Sequence, residues 1–102
     1  MIVLSNPTEG REKEYNDWYS GTHVPDMLSV PGVTSAKRFK LSEHQNPLRG
    51  EAKYKYLAIY QVDAEDVDEV IEEIASRVNT PKMEMSDALD KDIYAYYYAE
   101  IE

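Results

Sequence analysis

Along this chain the spacing of apolar residues switches from a strand period to a helix period and back, twice over. Met1 to Ser5 is a short apolar run that reads as a buried strand. A helix is predicted to open at Asn6-Pro7-Thr8-Glu9. There Asn6 can cap, Pro7 suits the first helical position, and Glu9 stands where a capping box puts its carboxylate. It runs to about Ser20 with Tyr15, Trp18 and Tyr19 as the buried stripe, and Gly21 is its expected left-handed terminator. Thr22 to Leu28 reads as a second, short helical turn. Val30-Pro31-Gly32-Val33 reads as a turn feeding a strand over about Thr34 to Leu41. Ser42 to Lys53 is polar and turn-rich, hence a loop. Tyr54 to Val62 is a strand with Leu57 and Ile59 on one side and Tyr56, Ala58 and Tyr60 on the other. Asp63 to Asp66 carries an N-cap signal for a helix striped with Val67, Val70, Ile71, Ile74, Ala75 and Val78, ended by Asn79-Thr80-Pro81. Ile93 to Ile101 is the final strand, with Tyr94, Tyr96, Tyr98 and Glu100 on one of its faces.

That order, strand-helix-strand-strand-helix-strand, is the pattern of an α+β, ferredoxin-like βαββαβ fold. It predicts a single domain over residues 1–102, with one four-stranded antiparallel sheet and both helices on the same side. The other side then needs a cover. Tyr56, Tyr60, Tyr94, Tyr96 and Tyr98 fall opposite the aliphatic residues of their strands, so the expected open face is rich in tyrosine. Such a face is too apolar to leave in water, and its phenols want partners. A second copy of the sheet is the economical cover, which predicts a homodimer with space for a small molecule between sheet and helices or loops.

Composition removes several function classes. A net charge of −9 argues against nucleic acid, and an RNA-binding sheet would need basic residues and a Lys/Arg-Gly-aromatic motif that is not here. No apolar run approaches the roughly 20 residues that span a bilayer, so no membrane role is expected. Without cysteine there is neither a disulfide nor a thiolate metal site, and two histidines alone argue against a structural zinc. The simplest location is the cytoplasm, and no cofactor is called for.

The densest chemistry lies between Tyr15 and Val33, which holds the only Trp and one of the two histidines. Glu14-Tyr15-Asn16-Asp17-Trp18-Tyr19, then Thr22-His23-Val24-Pro25-Asp26, then Val30-Pro31-Gly32-Val33 and a strand with Arg38-Phe39, resembles the dimeric α+β barrel superfamily, and within it EthD-like proteins. The resemblance implies a ferredoxin-like subunit that dimerises through its sheet. It also implies a choice among cyclases and dehydratases, cofactor-free monooxygenases, isomerases, haem-degrading enzymes and proteins without known activity. In EthD-like enzymes a His at the end of the first helical segment is the proposed acid/base, which corresponds to His23. His44 matches no family motif.

An ordinary imidazole titrates near ~6.5 and so can take or give a proton at neutral pH. His23 either does this or satisfies the last carbonyls of a helix. Asp26, three residues on, either orients the His23 ring or caps the short helix. Tyr60, Tyr96 or Tyr98 can hydrogen-bond a carbonyl oxygen and steady an enolate. Arg38 can pair with a substrate carboxylate, although Lys37 or Lys40 points inward if the strand register slips by one. Trp18 belongs to the core or lines the site. Met83 and Met85 read as packing. The expected function is a cofactor-independent lyase, cyclase/dehydratase or isomerase acting by proton transfer on an aromatic or carbonyl-bearing metabolite. A non-catalytic binder of a hydrophobic metabolite and a cofactor-free monooxygenase are the alternatives.

Overall fold

A computed structural model describes residues 1–102. It contains β1 (Ile2–Ser5), α1 (Glu12–Trp18), a π-helical turn (Tyr19–His23), α2 (Val24–Leu28), β2 (Val33–Lys40), a 3₁₀ turn (Pro47–Arg49), β3 (Tyr56–Val62), α3 (Val67–Arg77) and β4 (Tyr94–Tyr96). The strands form one sheet in the order β2-β3-β1-β4, and every pair is antiparallel. That interleaving is the ferredoxin-like arrangement, so the α+β class read from the periodicity holds. No helix is long and apolar enough to cross a membrane.

Local signals account for several elements. Val30-Pro31-Gly32-Val33 closes a tight turn in which the Val33 N–H donates to the Val30 carbonyl at 3.1 Å. Pro31 presets its own φ, and Gly32 takes the φ of +99° that a type II turn needs at its third position. The Asp66 side chain caps α3 by accepting from the N–H groups of Asp68 and Glu69. That helix stops at Arg77, Val78 having already turned extended at ψ 131°, and Asn79 follows in the left-handed conformation at φ +64°.

The first helix begins later than its sequence signals indicate. The Asn6 side chain does not cap it; Oδ1 accepts from the Lys55 N–H at 2.8 Å and Nδ2 donates to the Lys53 carbonyl at 3.0 Å. Pro7 forms an isolated bridge with Leu89, and the Thr8 N–H donates to the Ala88 carbonyl. Residues 6–8 are thus stitched to the segments before β3 and β4, and α1 starts at Glu12 with no side-chain cap.

Register corrects the facing of the tyrosines. Val3 pairs with Ala58 and with Ala95, while Ile2 pairs with Ile59 and Tyr96. Directly paired residues share a face. Tyr56, Ala58 and Tyr60 are therefore under the helices, each less than a tenth exposed, and the open face carries Ile2, Leu4, Phe39, Leu57, Ile59, Tyr94 and Tyr96, with Lys37 beside Ile59. The open face is apolar, as expected, but aliphatic in its middle rather than tyrosine-rich. β4 also pairs over only three residues, and Tyr98 and Ile101 beyond it are exposed.

Candidate active site

Pro25 sets the local geometry. It has no N–H, and its ring would clash with the carbonyl four residues back, that of Gly21. The chain widens just before it: the Val24 N–H donates five residues back, to the Tyr19 carbonyl. Gly21 is consequently not a left-handed terminator. It sits inside a π turn that joins α1 to α2 without a break. Such turns recur where a side chain has to be re-aimed. Here the turn brings Tyr19 and His23 together, edge to face at 5.1 Å, and Trp18 stacks on the His23 ring at 4.8 Å. The Trp18 indole N–H donates to the Glu84 carbonyl at 3.1 Å, which ties this arm to the segment after α3.

Between sheet and helices lies a cavity of about 220 Å³. Met1, Val3, Tyr60 and Ala95 form its sheet side; Trp18, Tyr19, His23 and Met27 form one wall. Ile74, Val78, Met83, Met85, Leu89 and Ile93 complete it. A cavity of ~150 Å³ holds benzene, so this one has room for a single substituted ring. Larger depressions of about 600 and 520 Å³ exist, but charged groups such as Arg11, Lys13 and Asp17, or Asp63 and Glu69, line them on the solvent side.

Two buried side-chain atoms have no hydrogen-bond partner, His23 Nδ1 and the Tyr60 hydroxyl, and both belong to residues of this cavity. An unsatisfied buried polar group is unfavourable by about 1–3 kcal/mol, so two around one space need a reason. Burial lowers the His23 pKa to about 4, outweighing the opposite pull of Asp26, with Arg38 adding to the fall. Its imidazole is therefore neutral at pH 7. Burial, then the neighbouring Tyr19 phenol, pushes Tyr60 far above the ordinary tyrosine range, so it stays a neutral donor.

The remaining candidates are placed differently. The Asp26 carboxylate does not bond Nδ1; it stands in the first turn of α2, where a negative charge suits the helix dipole. Arg38 pairs with Ala58 and so points under the helices, which settles the register against Lys37. It is already engaged, donating to Ser20 Oγ at 2.8 Å and Asn16 Oδ1 at 2.9 Å, with its guanidinium 4.3 Å from the Tyr19 ring centre. It braces the π turn from below and does not line the cavity. Tyr96 lies on the open face and Tyr98 beyond β4, where its hydroxyl meets that of Tyr94; neither reaches the cavity.

Sequence reasoning missed Tyr19 as a wall of the site, the contribution of α3, and the methionines. Only Tyr19 left a local signal, its place four residues before His23. A second polar cluster, in which the Tyr56 hydroxyl donates to Glu12 and Asn16 donates to Tyr56, lies outside the cavity lining. No group of three or more acidic or histidine side chains gathers to hold a metal ion.

No family model and no curated protein matches the chain. Among solved structures it is similar to the crystal structure of an ethyl tert-butyl ether D (EthD) family protein from Bacillus halodurans, at 20% identity and a TM-score of 0.51. The similarity covers 94% of this chain and 95% of that one. In fold, this chain is the counterpart of an EthD family protein.

Proposed function

We propose that the chain is a cofactor-independent enzyme of the lyase, cyclase/dehydratase or isomerase type, moving a proton on an aromatic or carbonyl-bearing metabolite. One observation carries the reading: the two unpaired buried polar atoms, His23 Nδ1 and the Tyr60 hydroxyl, sit on residues that line one apolar cavity. With its proton on Nε2, a neutral His23 offers the Nδ1 lone pair to a hydrogen on the carbon beside a carbonyl. That C–H bond breaks, its electron pair moves onto the carbonyl oxygen, and the Tyr60 phenol donates to the resulting enolate. The imidazolium then returns the proton to another carbon or to a departing hydroxyl. Exclusion of water strengthens the phenol–enolate bond, and a positioned acid/base contributes roughly 10²–10⁴-fold.

The working form in this reading is a homodimer in the cytoplasm. Phe39, Ile59 and Tyr96, 46%, 38% and 59% exposed, belong to an open sheet face more apolar than a lone subunit keeps in water. The absence of cysteine suits a reducing compartment.

A second reading, a binder that shelters its ligand without chemistry, is favoured by the same lowered His23 pKa of about 4. A base works best with a pKa near the operating pH, and this imidazole is well below it. Exchange of the α-hydrogens of phenylacetone in D₂O, followed by NMR, separates the two. The enzyme reading predicts protein-accelerated exchange that falls by about 100-fold in His23→Gln. Phenylacetone binding without accelerated exchange leaves the binder reading.

A further inference from the structure

All four methionines of the chain, Met1, Met27, Met83 and Met85, line the cavity that holds His23 and Tyr60. They are spread from the first residue to the segment after α3, so no local pattern gathers them. Met27 and Met83 are almost fully buried. Unbranched and polarisable, a methionine wall reshapes around a ring at less expense than branched aliphatics. That property matters here, because His23 Nδ1 and the Tyr60 hydroxyl are both covered in this structure. A ligand meets them only once the side chains around them have yielded.

Charge is the second constraint. No charged side chain lines the cavity. Arg38 is held by Ser20 and Asn16, and the Met1 ammonium donates to the Tyr60 carbonyl at 2.8 Å. A carboxylate brought into this space would lose its hydration with no charged side chain in the lining to replace it.

Resting on the reading of the cavity as a small-molecule site, we propose that it takes an uncharged, single-ring molecule bearing a hydroxyl or carbonyl group. The methionine wall sets its specificity, tolerant of ring substitution pattern and closed to anions.

Methyl 4-hydroxybenzoate, methyl 3-hydroxybenzoate and 4-hydroxybenzoate test this at neutral pH, by isothermal titration with the full chain. The two esters should bind within about 10-fold of each other, and the carboxylate at least about 100-fold more weakly than its own ester. Equal binding of ester and carboxylate overturns the exclusion of anions while leaving the cavity reading intact. A preference above about 100-fold between the two esters overturns the yielding wall. Heat from none of the three overturns the proposal together with the site itself. In Met85→Ile, on the partly buried part of the wall, the gap between the esters should widen, with the far-ultraviolet spectrum reporting that the fold is kept.

Discussion

Replacing Tyr60 by Phe should make the protein more stable, although a fully buried tyrosine is being altered. The ring is 1% exposed and keeps all its packing in the phenylalanine variant. What disappears is a buried hydroxyl that makes no hydrogen bond in this structure, although the Tyr19 phenol lies beside it. Leaving such a group unsatisfied is unfavourable by about 1–3 kcal/mol, and the void left by one oxygen takes back a fraction of that. A net gain of about 1 kcal/mol follows, or roughly 4–8 °C in Tm for a domain of this size. Tyr15→Phe is the control: its hydroxyl shares a 2.6 Å hydrogen bond with Ser5 Oγ, both buried. That substitution orphans Ser5 and should lose about 1 kcal/mol. Urea unfolding reads both, provided the slope with denaturant is unchanged. If Tyr60→Phe loses stability as Tyr15→Phe does, the Tyr60 hydroxyl is a satisfied structural group and the site loses one of its two polar anchors.

The cavity histidine gives the protein a pH dependence. The folded state holds His23 neutral down to about pH 4, whereas the unfolded chain takes up a proton near ~6.5. Between these values the unfolded state binds more protons, so stability is complete above the unfolded value and falls as pH drops through the window, by up to about 3 kcal/mol. His23→Gln should flatten that slope in urea titrations between pH 5 and 7; an unchanged slope refutes the burial of the ring. Gly32→Ala should cost more than 1 kcal/mol, roughly, since the new Cβ falls 2.7 Å from Val70 Cγ2 at a φ of +99°. Gly21→Ala, facing open space without a left-handed φ, should stay within about 0.5 kcal/mol in the same assay. Ile59→Lys, in the middle of the open sheet face, should halve the mass read by light scattering while leaving the circular dichroism of a folded chain; an unchanged mass removes the face-to-face dimer.

Elements with a complete local cause were legible in the sequence. The Pro31-Gly32 turn needs only a fixed φ followed by a left-handed one, and Asp66 caps α3 with the two N–H groups just ahead of it. The first helix was misread because the fate of Asn6 is decided about fifty residues away, at Lys53 and Lys55. The facing of β3 was misread for a different reason. Tyr56-Ala58-Tyr60 and Leu57-Ile59 are both apolar, so alternation marks a strand without saying which side the helices choose. Of the site, the Trp18–Tyr19–His23 cluster was visible as a motif, but the widening of the helix before Pro25 was not. The methionine wall exists only once β1, α2 and the segment after α3 are packed together.

The most direct measurement is ¹⁵N–¹H correlation NMR of the histidine rings across pH 4 to 7, repeated with methyl 4-hydroxybenzoate. The His23 ring should remain neutral until close to pH 4, and its Nδ1 resonance should move when the ester binds. A His23 that titrates at the ordinary value near ~6.5 and ignores the ester would contradict a buried imidazole waiting on a ligand.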